Sequence, residues 1–126
     1  MSKNTDAIES ASQAFVNDDV QAIIAMIDEG AEWVVPESLP QGGSFRGPDD
    51  VSRFFQRVGE TWETLHLDID KLLDAGDHVV GIGRASGKLR EGREAGYRFA
   101  HVFEMKDGRV AGYQEYADPD ETLRSL

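Results

Sequence analysis

The chain has 126 residues, of which 40% are apolar and 29% charged, a composition typical of a soluble globular protein with one domain and one core. Its 13 basic and 24 acidic residues give a net charge of −11, which makes nucleic acid and membrane surfaces poor candidate partners because both are anionic. No cysteine is present, so disulfides, thiolate nucleophiles and thiolate metal sites are excluded. The polar N-terminus lacks the layout of a signal peptide, and a cytoplasmic location is predicted.

Two helices are predicted in the first 30 residues. Ile8, Ala11 and Phe15 recur at helical spacing and indicate the first helix. The second helix is capped by Asp18 or Asp19 and is predicted to end at Gly30. Its apolar positions are Val20, Ile23, Ile24 and Ile27.

A strand over 31–35 and a loop over 36–48 are predicted next, because prolines and glycines interrupt the second segment. Pro48 suits the first turn of a third helix, where its missing N–H costs nothing. That helix carries the clearest amphipathic stripe of the sequence, formed by Val51, Phe54, Phe55, Val58 and Trp62.

The second half of the chain changes to the period of strands. Leu65, Leu67 and Ile69 alternate with polar residues and predict a half-buried strand. Turn residues at 75–77, 90–92 and 107–108 divide the rest into strands near 78–88, 95–106 and 109–117, with consecutive strands antiparallel. Helices followed by a strand meander indicate one α+β domain over 1–126. If its antiparallel sheet curves around the N-terminal helices, it forms a cone.

A sheet curved in this way would enclose a pocket, and strand parity predicts which side chains point into it. The predicted inward residues are Trp33 and Val35, Arg84 and Ser86, Phe99, His101 and Phe103, and Tyr113 and Glu115. Phe55, Val58 and Trp62 of the third helix are predicted to complete the pocket wall.

Three segments carry a family resemblance: Trp-Val-Val-Pro at 33–36, Phe-Arg-Gly-Pro at 45–48, and the stretch 103–118 with Asp-Gly-Arg-Val at its turn. They resemble the nuclear transport factor 2-like (NTF2-like) superfamily, and most of all its SnoaL-like polyketide cyclases, ketosteroid isomerases and limonene-type epoxide hydrolases. The resemblance covers nearly the whole chain. It implies the cone fold and a homodimer, but the superfamily contains both enzymes and binding proteins, so it does not by itself imply a reaction.

Catalytic positions of the family carry over only in part. The position of the ketosteroid isomerase base is Val35, which makes enolisation by that route unavailable. Of the epoxide hydrolase Asp-Arg-Asp set, the resemblance places the arginine at Arg84 and one acid at Glu115, while the other acid position is Ser86. The two positions that hold the water in that group are Val35 and Trp33.

Glu115 is the leading catalytic candidate, since an inward carboxylate is costly to bury without a partner. Arg84 is the predicted partner, and the pair is either a catalytic base with its orienting cation or a structural ion pair. His101 is the third candidate, because an imidazole titrates near neutrality and can move a proton; the alternative is a core histidine held by a neighbour.

Neither a cofactor nor a metal is implied, since the three histidines form no ligand cluster and Gly81-Ile82-Gly83 lacks the context of a dinucleotide site. The sequence therefore predicts an apolar small-molecule ligand and one of two functions. The first is cofactor-free acid–base chemistry, namely cyclisation, isomerisation or epoxide opening, on a polyketide- or terpenoid-like substrate. The second is a binding or dimerisation module without turnover.

Overall fold

The computed structural model describes residues 2–126, so Met1, the first residue of the predicted domain, lies outside the described residues. Helix α1 (Lys3–Val16) begins at a capping box in which the Ser2 hydroxyl accepts a hydrogen bond from the Thr5 amide. Helix α2 (Val20–Ile24) begins at Asp19, whose carboxylate accepts from the Ala22 amide. Helix α2 begins at the predicted Asp18–Asp19 cap, whereas α1 begins before the residues whose spacing predicts it.

The end of α2 and the start of the first strand differ from the prediction. Helix α2 ends at Ile24 instead of continuing to Gly30, and β1 (Ile27–Val35) begins earlier than residue 31. Ile27 belongs to β1 and not to α2, because it pairs in register with Val110 of the last strand and its side chain is buried in the core.

The predicted loop over 36–48 contains a short strand, β2 (Gly43–Arg46), which pairs antiparallel with the end of β1. Helix α3 (Gly47–Thr61) follows at once, with Pro48 in its first turn as predicted. Its apolar stripe faces the sheet, where Val51, Phe54 and Val58 are buried. The third helix therefore forms the inner layer of the domain.

Four long strands complete a six-stranded sheet of order β2-β1-β6-β5-β4-β3. They are β3 (Trp62–Ala75), β4 (His78–Leu89), β5 (Glu94–Lys106) and β6 (Arg109–Pro119), and their bounds follow the predicted turns closely. A terminal turn of helix, α4 (Glu121–Arg124), is not predicted. The α+β class and the cone of curved strands around the helices are confirmed.

One pair in the sheet is parallel, although the prediction is a wholly antiparallel sheet. Strands β1 and β6 run in the same direction, with Trp33 in register with Tyr113. Paired strands that are consecutive in the sequence are antiparallel, as predicted. Strands β1 and β6 are not consecutive: the chain passes through the meander first, and β6 then lies beside β1 and runs in the same direction.

The curl of the sheet depends on glycines in β4. A Cβ built on Gly83 would lie 2.0 Å from the carbonyl oxygen of Asp68, and one built on Gly87 would lie 2.0 Å from that of Thr64. Only glycine lets the backbone of β3 approach β4 this closely, which bends the edge of the sheet over α1. Within residues 2–126, no helix is both long enough and apolar enough to cross a bilayer.

Candidate functional site

A cavity of about 100 Å³ lies between the inner face of the sheet and the helices α1 and α3. Its wall is mostly apolar, with leucines and isoleucines from β3 on one side and aromatic rings from β1, α3, β5 and β6 on the other. Four polar side chains interrupt that wall, those of Ser12, Gln41, His101 and Glu115, in addition to the Tyr113 phenol and the Trp33 indole N–H. Any chemistry in the cavity depends on these groups.

Glu115 is the one carboxylate in this wall, and it is only 4% exposed. Tyr113 lies two residues before it on the same face of β6, and the Tyr113 hydroxyl donates to Glu115 Oε1 at 2.7 Å. The other oxygen, Oε2, is buried without a hydrogen-bond partner within the described residues. Burial raises the pKa of Glu115 to about 7, although the bond from Tyr113 acts in the opposite direction.

His101 lies directly opposite Glu115 in the β5–β6 pair. Its Nε2 is 3.7 Å from Glu115 Oε1, too far for a hydrogen bond, and its ring stacks on Phe99 with centroids 3.8 Å apart. Burial lowers the pKa of His101 to about 3, so the imidazole is neutral at physiological pH and does not form a salt bridge with Glu115.

Gln41 is a cavity residue that the sequence analysis misses. Its side chain is 1% exposed; Oε1 accepts from the Trp62 indole at 3.2 Å, and Nε2 donates to the Tyr97 hydroxyl at 3.0 Å. Since an indole N–H can only donate, this contact fixes which way the amide is turned. A glutamine inside a loop rich in proline and glycine carries no periodic signal, so strand or helix patterns could not find it.

The family profile of the SnoaL-like domain matches residues 8–113 of this sequence. The chain belongs to the SnoaL-like family, within the NTF2-like superfamily. This confirms the resemblance found in the sequence, and it supports a small-molecule-binding or isomerase-type protein. No curated protein matches this SnoaL-like chain in sequence.

Solved structures give the same result for the fold of this SnoaL-like domain. An NTF2-like protein from Burkholderia thailandensis E264 is 32% identical over 94% of this chain and 92% of its own, with a TM-score of 0.86. An NTF2-like protein of unknown function from Burkholderia pseudomallei K96243 is 25% identical over 98% and 97%, with a TM-score of 0.89. TerC, co-crystallised with polyporic acid, shares the fold at 24% identity over 93% and 92%, with a TM-score of 0.81.

Arg84 and Ser86 are not in the cavity of the SnoaL-like domain, and their predicted inward direction is wrong. Both are exposed on the outer face of the sheet, where Arg84 lies opposite Arg98. The inner positions of β4 are held by Gly81, Gly83 and Ala85. The predicted ion pair between Arg84 and Glu115 therefore does not exist.

The predicted wall residues divide into two groups in this SnoaL-like chain. Five of them line the cavity together with His101 and Glu115, namely Trp33, Phe55, Val58, Phe103 and Tyr113. Three others are buried in the core outside the cavity wall, which corrects their predicted role: Val35, Trp62 and Phe99. Phe99 is separated from the cavity because the His101 ring stacks on it, and Trp62 because it lies behind Gln41.

Residues 2–126 contain no group of three or more histidine, aspartate or glutamate side chains arranged to hold a metal ion together. The polar groups of the cavity can instead donate or accept hydrogen bonds, and a titratable group among them can take up or release a single proton. The geometry of this SnoaL-like site thus brings together one carboxyl group, one neutral imidazole and one phenol against an apolar wall.

Proposed function

We propose that the chain binds a compact, largely apolar small molecule in this cavity and that Glu115 exchanges a proton with it. The observation that carries the proposal is the state of Glu115, a carboxyl group that is buried, has one oxygen free and has its pKa raised to about 7. A group with a pKa near the working pH is suited to general acid–base catalysis, because it both takes and returns a proton readily.

Cavity size supports a small substrate. An apolar cavity of about 150 Å³ in another protein is large enough for benzene. At about 100 Å³, this cavity suits a ligand of roughly one ring, so a polyketide- or terpenoid-like substrate would have to be a small one. Cyclisation, isomerisation and epoxide opening are the cofactor-free reactions that the family resemblance implies, with His101 as a neutral hydrogen-bonding group beside Glu115.

The second candidate is a binding module without turnover. Two observations favour it: an aliphatic side chain, Val35, occupies the position of the isomerase base, and Arg84 faces away from the cavity. A protein of this kind would retain the cavity and its ligand but would have no need of an ionised Glu115.

Replacing Glu115 by Gln separates the two candidates. The amide keeps the shape and can still accept from Tyr113, but it cannot take a proton. With a panel of small epoxides and β-dicarbonyl compounds, an enzyme should lose turnover about 10²–10⁴-fold in Glu115→Gln, whereas Glu104→Gln at an exposed position on β5 should retain it. Equal turnover in Glu115→Gln and wild type would remove Glu115 from the reaction. Ligand binding without turnover in wild type would favour the binding module.

We also propose that the chain pairs with a second copy through the outer face of its sheet. The family resemblance implies a homodimer, and the outer face carries an apolar row in which Ile82 (38% exposed), Ala100 and Tyr116 (60% exposed) lie in register. Light scattering should give the mass of a dimer for wild type and of a monomer for Tyr116→Glu. A monomeric wild type at micromolar concentration would contradict this proposal.

A further inference from the structure

The cavity holds a buried carboxyl group but no positive charge to balance it. Within residues 2–126 no lysine or arginine lines the cavity, His101 is neutral, and Arg84 lies on the other side of the sheet. A buried carboxylate without a cation is unfavourable, so the side chains around Glu115 favour the protonated acid. A ligand could supply the missing charge.

Aromatic rings make up much of the cavity wall. The six that line it are Phe15, Trp33, Phe54, Phe55, Phe103 and Tyr113. Trp33 is at the centre of this group, since its ring centroid lies 5.9 Å from that of Phe54, 6.1 Å from that of Phe55 and 4.1 Å from that of Tyr113. The faces of such rings carry negative electrostatic potential and attract cations, tryptophan most strongly.

We propose that the ligand of this cavity carries a compact organic cation, a quaternary or N-methylated ammonium group, held by the aromatic rings with its charge beside the carboxyl group of Glu115. This inference rests on the proposed function, since it names the kind of molecule that the same cavity binds. A methylated ammonium combines an apolar surface, which suits the wall, with a charge that suits the carboxylate. The net charge of −11 also draws cations toward the protein.

Binding of such a cation is linked to one proton. Among the described residues, two titratable groups line the cavity beside Glu115, Tyr113 on its own strand and His101 on β5. Tyr97 on β5 lies outside the cavity wall but interacts with the Glu115 charge. Burial holds the pKa of both tyrosines far above neutrality and that of His101 at about 3, which leaves Glu115 as the group that titrates near pH 7. The cation favours the carboxylate, so it expels the Glu115 proton to solvent as it binds.

The test uses two molecules of the same shape, choline and its uncharged carbon analogue 3,3-dimethylbutan-1-ol. Titration calorimetry on the full chain at pH 8 should show choline binding at least about tenfold more tightly than the alcohol. Its affinity should fall as the pH is lowered from 8 to 6, with one proton released per choline at the low end, while the affinity of the alcohol should not fall.

Two variants distinguish the contribution of the Glu115 charge from that of the cavity volume. In Glu115→Gln the preference for choline should fall to the part that the aromatic rings supply and should no longer depend on pH, while the alcohol still binds. In Gly81→Ala both ligands should weaken together, because the new methyl group would lie in the cavity wall, 3.7 Å from Leu72 Cδ1 and 3.8 Å from His101 Cβ.

Each outcome of these titrations either supports the cation inference or contradicts it. Alcohol binding as tight as choline binding at pH 8, or an unchanged preference in Glu115→Gln, would overturn the cation inference and leave the proposed small-molecule cavity in place. Binding of neither molecule would overturn the cation inference alone, because the proposed cavity function is decided by the panel of small epoxides and β-dicarbonyl compounds.

Discussion

Ionisable side chains on the two faces of strands β4–β6 have opposite environments, solvent on the outer face and the protein interior on the inner face. On the outer face, Arg84 and Arg98 lie opposite each other in water, where two like charges cost little because solvent screens them. On the inner face, Glu115 and His101 also lie opposite each other, but burial moves the pKa of the acid up to about 7 and that of the imidazole down to about 3. Charged residues on the two faces of the same sheet therefore differ in chemistry because of burial, and no neighbouring charge is needed to explain it.

The largest effect on the inner face is expected from Gly83→Ala. The new Cβ would lie 2.0 Å from the Asp68 carbonyl oxygen, so the backbones of β3 and β4 must separate, at a cost of at least about 3 kcal/mol in the free energy of unfolding. Gly81→Ala is the matched control, because its Cβ meets only side chains at ordinary contact distances, and its cost should stay within about 1 kcal/mol. Urea unfolding of both variants measures the difference, and equal losses would contradict the close approach at Gly83.

Glu115→Gln should change how stability depends on pH. The folded chain keeps the Glu115 proton up to about pH 7, whereas the unfolded chain releases it near 4.5, so this residue makes wild type less stable as the pH rises through that window. The total is about 3 kcal/mol at roughly 1.4 kcal/mol per pH unit. The stability of Glu115→Gln relative to wild type should therefore rise by that amount between pH 4.5 and pH 7.5.

His101 acts in the opposite direction and remains in both proteins of that comparison. Its pKa is lowered from 6.5 to about 3, so its contribution to stability grows as the pH rises through that interval. Because it cancels in the difference between variant and wild type, urea unfolding at several pH values isolates Glu115. A difference that does not change with pH would show that Glu115 is not buried as described.

Gln41→Met tests the polar network behind the cavity. Methionine keeps the volume of the side chain but leaves the Tyr97 hydroxyl and the Trp62 indole N–H buried without their partner. The expected loss is about 2 kcal/mol in the free energy of unfolding. Gln13→Met on the exposed side of α1 is the control and should stay within about 0.5 kcal/mol, so a similar value for both variants would argue against the network.

The smallest effect is expected on the outer face, from Arg84→Ala. Arg84 is exposed and opposite a like charge, so its loss should change stability by less than about 0.5 kcal/mol. Thermal unfolding measures this directly. A loss of about 3–5 kcal/mol, the size expected when a buried ion pair is broken, would show that Arg84 points inward after all.

Most of the fold could be predicted because it follows patterns that the backbone imposes. The stripe of α3 and the alternation after Leu65 mark their elements through periodic burial, and the turn at Asp107-Gly108 has both residues at positive φ, where short polar residues and glycine are favoured. Helix α2 was predicted too long because Ile27 continues the spacing of a helix while serving as a strand residue that pairs with β6.

The candidate site could be predicted on β5 and β6 but not on β4. On β6 the large inward side chains of Tyr113 and Glu115 reveal the parity. On β4 the inner positions are Gly81, Gly83 and Ala85, and the larger side chains of Ile82 and Arg84 face outward, so the usual rule of apolar side chains inside gives the wrong face. Because the curvature of the sheet requires glycine at inner positions of β4, those positions lack the large apolar side chains that would have identified the inner face. The sequence pattern therefore assigned Arg84 to the wrong face.

The parallel pairing of β1 with β6 also has a consequence for the order in which the protein folds. A ribosome releases β1 before β6 and all the strands between them, yet Trp33 and Tyr113, whose rings lie 4.1 Å apart, come from these two strands. Until β6 emerges, β1 and β5 each have a free edge and the aromatic surface of Trp33 is uncovered, a state prone to aggregate. Contacts of such long sequence separation also slow folding. The nascent chain should therefore stay open, with the two halves of the wall apart, until β6 has been synthesised.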